Sequence, residues 1–240
     1  MLQDPDLEFL AYCDNEDLDI LVNYLTKAKD GNRRLTEDLT DREIYKKYYP
    51  DHKKYWREIT DEIQCFGANT IATLFRGGEG VPYREILTDV CNKLKVNFNS
   101  ESPIEIIESN LLMKILTDSL DKMNSDELKK VVETTGIKTT HLTPQAVTFA
   151  LQVAVRMGGF ASYQVAVIVA NSVARAVLGR GLSLAANASL TRILGIFSGP
   201  IGWLLTSLWT LVTIAGPAYR VTIPCAIHIA YMRAKQKHQA

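Results

Sequence analysis

The last 107 residues of this 240-residue chain carry no aspartate and no glutamate. All 27 acids lie in residues 1–133, where 18 Lys and Arg leave a net charge of −9. The other nine bases, Lys138, Arg156, Arg175, Arg180, Arg192, Arg220, Arg233, Lys235 and Lys237, give the remainder +9. A fold built from such a chain has to set an apolar, cationic half against something. Three arrangements fit: docking on its own acidic half, contact with an anionic lipid surface, where each base near the headgroups contributes about 1 kcal/mol, or contact with nucleic acid. Nucleic acid fits worst, because the nine charges form no Lys/Arg cluster and no run interleaved with aromatics.

The acidic half reads as successive amphipathic helices. Leu7, Leu10, Leu18, Leu21, Val22 and Leu25 recur at three- and four-residue intervals, with Asp6 and Asn15 as expected N-caps. Tyr55, Ile59, Ile63 and Phe66 form another stripe, and Ile104, Ile107, Leu111, Ile115 and Leu120 a third, opened by Ser102 and Pro103. Ser125 is the expected cap of the helix after that. No run alternates apolar and polar residues as a strand does, so the fold class is all-α. The threonine-rich stretch 134–145 marks the composition shift and the expected boundary between an acidic helical domain, 1–133, and an apolar, basic helical domain, 146–240. Thr143 and Pro144 start a helix whose apolar face holds Val147, Phe149, Leu151 and Val155.

Between Arg192 and Arg220 the chain has 27 residues without a charge. As one helix they would run about 40 Å, more than the roughly 30 Å of a bilayer's hydrocarbon core. Gly199-Pro200 and Gly216-Pro217 cut the run to Ile201–Ala215, about 22 Å and short for a span. Pro224 predicts a kink or break at Ile223 in the helix that follows. For the membrane reading, Trp203, Leu204, Leu208 and Trp209 are the expected apolar contacts, and Arg220, Arg233, Lys235 and Lys237 the headgroup contacts.

Enzyme signatures fail one by one. Arg76, Gly77, Gly78, Gly80 and Arg84 suggest an anion-binding turn, but neither a Walker loop nor a strand-led dinucleotide loop is present. The four histidines, at 52, 141, 228 and 238, have no metal-ligand spacing, and His228 reads as a core histidine. Cys13, Cys65, Cys91 and Cys225 form no CxxC pair and read as reduced thiols. The acidic N-terminus lacks an export signal's pattern, so the expected location is cytoplasmic, peripheral to the inner membrane. No cofactor or metal is expected, and no catalytic residue stands out.

Three blocks, DLEFLAYCDNEDLDILVNYLT, FGANTIATLFRGGEGVPYREILTDVCNKLKV and GPIG followed by AYRVTIPCAIHIAYMR, resemble the YaaW-like family of uncharacterised bacterial proteins. The similarity runs in register over most of the chain and is least in 135–190. The C-terminal part is remotely similar to ubiquinol-cytochrome c chaperone domains, helical proteins that assist assembly of a membrane respiratory complex. This resemblance implies a helical, bacterial, non-enzymatic protein and supplies no catalytic residues. The expected function is therefore contact of the C-terminal domain with an anionic membrane surface or a membrane-embedded partner. The alternatives are a soluble chaperone or assembly-factor-like module binding an apolar protein partner or a second copy, and an enzyme with an unrecognised pocket.

Overall fold

The computed structural model describes residues 2–28, 31–71, 80–182 and 218–239. Among these residues the regular structure is helical, with no strand and one isolated antiparallel bridge between Lys27 and Arg33. A 3-10 turn over Glu8–Tyr12 is followed by α1 (Asn15–Thr26), α2 (Glu43–Tyr48), α3 (Trp56–Ile71) and α4 (Tyr83–Lys93). Then come α5 (Ile104–Leu120), α6 (Ser125–Thr135), α7 (Pro144–Arg156), α8 (Phe160–Leu178) and α9 (Tyr219–Gln239).

Helix α9 forms the centre. Every residue from Val221 to Met232 is buried, so this stretch has no solvent face, as expected of a helix apolar on most sides. α8 lies along it, and α5, α1, α4 and α3 also pack on it. The break expected at Ile223 does not occur: the helix passes through Pro224 without interruption. Proline at this sixth position removes the backbone bond to the Arg220 carbonyl and costs about 3 kcal/mol. Burial of Val221, Ile223, Cys225 and Ile227, at roughly 1.5–3 kcal/mol for each large side chain, outweighs it.

Helix α8 is long and apolar enough to cross a membrane, yet residues Tyr163–Ala174 are all buried within the protein. Its core partners include residues of the acidic half, through contacts with α5 and α1. Buried side chains on both sides of 134–145 belong to one continuous cluster, so that stretch is a boundary of composition across which the core is shared.

The stripes expected in α3 and α5 are buried throughout. Helix starts differ in detail. The first apolar segment makes a 3-10 turn, with Leu7 and Leu10 buried, and Asp6 caps no helix. Asp4 takes a capping role instead: its carboxylate accepts hydrogen bonds from the Asp6 amide (3.1 Å), from Gln64 Nε2 (3.3 Å) and, at 2.6 Å, from the amide of Tyr83, the first residue of α4. Asn15 lies inside α1 and donates to the Pro50 carbonyl at 2.8 Å, leaving Asp14 at the cap position. Pro103, one residue beyond Ser102, occupies the cap position of α5. Asn124 rather than Ser125 caps α6, in a reciprocal box with Glu127. Thr143 caps α7 as expected, accepting from the Ala146 amide at 3.3 Å.

Close approach of α3 to the start of α4 requires Gly67. A Cβ there would lie 2.4 Å from Ile86 Cγ1 and 2.9 Å from Val81 Cγ2.

Candidate interaction surface

The cations of the second half meet the acids of the first inside one chain. Lys235 Nζ donates to Asp14 and Asp17, both at 2.8 Å. Arg233 Nε donates to Glu108 at 2.9 Å, Nη2 donates to the Asp6 carbonyl, and the guanidinium lies 4.2 Å from the Phe9 ring centroid. Lys237 reaches Glu105 at 3.0 Å, and Arg180 pairs with Asp19.

These contacts set the electrostatics. Burial opposes charge on Lys235, but its bonds to Asp14 and Asp17 outweigh this and raise its pKa. The Lys235 hydrogen bond lowers that of Asp14. Asp19 is pulled down to about 2, first by its hydrogen bond from the buried His52 (3.2 Å) and then by Arg180. Burial raises the Glu108 carboxyl to about 7, against the opposing pull of Arg233 and of the Tyr83 hydroxyl at 3.0 Å. His228 is fully buried: Nε2 donates to the Asp17 carbonyl at 2.9 Å, Nδ1 has no partner, and burial pushes the imidazole down to about 4, so it is neutral.

A cleft of about 580 Å³ opens beside the Arg233 and Lys237 pairs. Its walls come from α5 (Ile106, Leu112), the end of α7 (Val155, Arg156), the turn at Gly158 and Gly159, and α9 (Ala230). The turn folds sharply because both glycines take positive φ, 78° and 71°. Ser162 Oγ then donates to the Val155 carbonyl at 3.1 Å and ties α8 to the end of α7.

Next to the cleft, α7 has an apolar outer face. Val147 and Leu151 are buried, whereas Phe149, Val153 and Met157 are 68%, 41% and 84% exposed. Their spacing of four puts the three on one stripe, and by helical geometry Arg156 stands between that stripe and the cleft-facing Val155. Arg156 is exposed and makes no ion pair among the described residues.

Of the residues expected to contact a membrane or partner, Arg233, Lys235 and Lys237 are engaged by Glu108, Asp14, Asp17 and Glu105. Arg220 lies exposed in the first turn of α9. Trp203, Leu204, Leu208 and Trp209 fall outside the described residues, as do Arg76, Gly77 and Gly78 of the anion-binding turn. From that turn, Arg84 Nη1 donates to the Ser100 and Ser102 carbonyls, both at 2.8 Å, and the Gly80 position packs against Gln64. Among the described residues no three metal-capable side chains cluster, and Cys13, Cys65, Cys91 and Cys225 are all free thiols.

Sequence reading placed Phe149 on the same face as Val147 and Leu151 and so missed the outward stripe. Apolar residues at 147, 149, 151, 153, 155 and 157 cannot all share one helical face, and that excess was the available signal.

The sequence places this helical chain in a bacterial family. A family model described as ubiquinol-cytochrome C chaperone matches residues 51–228, and one described as a domain of unknown function (DUF3944) matches residues 1–35. A UPF0174 protein of Helicobacter pylori strain J99 is 49% identical over 233 residues, covering 97% of this chain and 92% of the relative. The UPF0174 protein YaaW of Escherichia coli strain K12 is 32% identical over 238 residues, covering 97% and 94%. The chain belongs to this UPF0174, YaaW-like family. No solved structure matches it.

Proposed function

We propose that the protein is a non-enzymatic, chaperone-like interaction module that holds an apolar segment of a partner protein against the outer face of α7. One observation carries this reading: Phe149, Val153 and Met157 form an exposed apolar stripe beside an open cleft, on a helix whose opposite face is fully used in the core. The description of the matching family, a chaperone, supports it. The test is to mix the full chain, in detergent-free buffer, with an aggregating apolar helical peptide and follow light scattering. Stoichiometric suppression is expected, with loss in the Phe149→Ser, Met157→Ser double variant. Equal suppression by the double variant refutes the proposal.

A second reading, lipid contact through residues 193–219 at the inner face of a membrane, is favoured by the absence of charge in that stretch. It is weakened by the intrachain pairing of Arg233, Lys235 and Lys237, which removes three of its four headgroup contacts. Flotation of the full chain with anionic vesicles supports it, and retention in the soluble fraction excludes it.

A further inference from the structure

We infer that the segment docking on α7 is an amphipathic helix of a partner protein whose apolar face is flanked by carboxylates, one of which pairs with Arg156. This rests on the proposed function and names the chemistry of the partner.

The stripe supplies the apolar half of the recognition. Phe149 to Met157 is eight residue steps, about 12 Å or two helical turns, which matches i, i+4 and i+7 anchors on a partner helix. An extended strand finds no pairing edge here, because the backbone of α7 is satisfied within its helix.

Charge supplies the other half. α7 and α8 contain no acidic side chain, and their bases are Arg156 and Arg175. Across the cleft, the two carboxylates that face this region are already used, Glu105 by Lys237 and Glu108 by Arg233. Arg156 is therefore the uncompensated charge at the border of stripe and cleft. A partner with lysines around its apolar face meets Arg156 as repulsion, whereas one with glutamates gains a rim pair and faster, salt-sensitive association. The same positive rim disfavours symmetric pairing of two α7 faces, which sets Arg156 against its own copy.

The experiment uses the full chain and fluorescein-labelled peptides of about 18 residues, long enough to form a marginal helix in water. All carry leucines at helical spacing, with flanking residues of Glu, Gln or Lys, and binding is read by anisotropy at low and high salt. The Glu peptide is expected to bind about two- to fivefold more tightly than the Gln peptide at low salt, a preference that shrinks at high salt. Arg156→Gln removes the preference and Arg156→Glu transfers it to the Lys peptide. The Phe149→Ser, Met157→Ser variant loses all three peptides, and since these side chains are exposed its far-UV circular dichroism stays unchanged.

Equal binding of Glu and Gln peptides, still lost in the double variant, overturns the carboxylate inference and leaves the apolar docking reading standing. Absence of binding by any peptide overturns both. The inference also falls if the double variant abolishes binding to phosphatidylglycerol vesicles, or a concentration-dependent dimer, while peptide binding is unaffected.

Discussion

His228 turns burial into a measurable dependence of stability on pH. Its imidazole is neutral in the folded protein with a pKa lowered to about 4, against 6.5 when unfolded. Below pH 6.5 the unfolded chain takes up a proton that the folded chain refuses, so this contribution is complete above 6.5 and is lost as pH falls towards 4. Linkage puts the loss at about 2 kcal/mol between pH 7 and pH 5, and about 3 kcal/mol at pH 4. Glu108 acts in the opposite sense, because a carboxyl raised to about 7 adds stability as pH falls from 7 towards 4.5. The diagnostic quantity is therefore a difference between proteins. His228→Gln retains a side-chain amide able to donate to the Asp17 carbonyl but cannot titrate. Urea unfolding followed by far-UV circular dichroism at pH 7, 6 and 5 is expected to show wild type losing about 2 kcal/mol relative to the variant over that interval. Parallel stability curves for the two proteins between pH 7 and 4 would refute the argument that burial keeps this ring neutral.

Gly67→Ala forces a methyl against Ile86 and Val81 and is expected to cost about 1–3 kcal/mol by overpacking, with Ile86→Ala restoring part of it; thermal unfolding reads both. Arg233→Met removes the charge that opposes burial of Glu108, so the carboxyl takes up a proton at pH 7. The variant is expected to lose about 1–3 kcal/mol for the broken hydrogen bonds, measured by urea unfolding, and the loss grows as pH rises above 7. A loss that stays constant between about pH 7 and pH 9 argues against the pair as the cause.

Helical periodicity made much of this fold legible. Tyr55, Ile59, Ile63 and Phe66 are buried as their spacing requires, because a single stripe leaves one way to face a core. Cap positions slipped by a residue where several small polar side chains compete, as Asn124 and Ser125 do. The break at Pro224 failed because local propensity yields to burial on every side. The pairing of Lys235 with Asp14 and Asp17 was open in the sequence only as one of three destinations for the same charge, since long-range partners leave no local pattern. Phe149 was misplaced because an all-round apolar helix does not say which of its faces is inside.

The place of α9 in the core has a consequence for biosynthesis. The helix that the others surround is the last of those described here to leave the ribosome, and its contact between His228 and Asp17 spans 211 residues. Helices α1 to α8 can form as they are made, but their apolar faces have no centre to close on until residues 219–232 emerge. Folding to the native core therefore follows rather than accompanies synthesis of the preceding helices, and so large a sequence separation predicts a slow final step. During that interval the nascent protein itself presents exposed apolar helices, which makes it a client for chaperones.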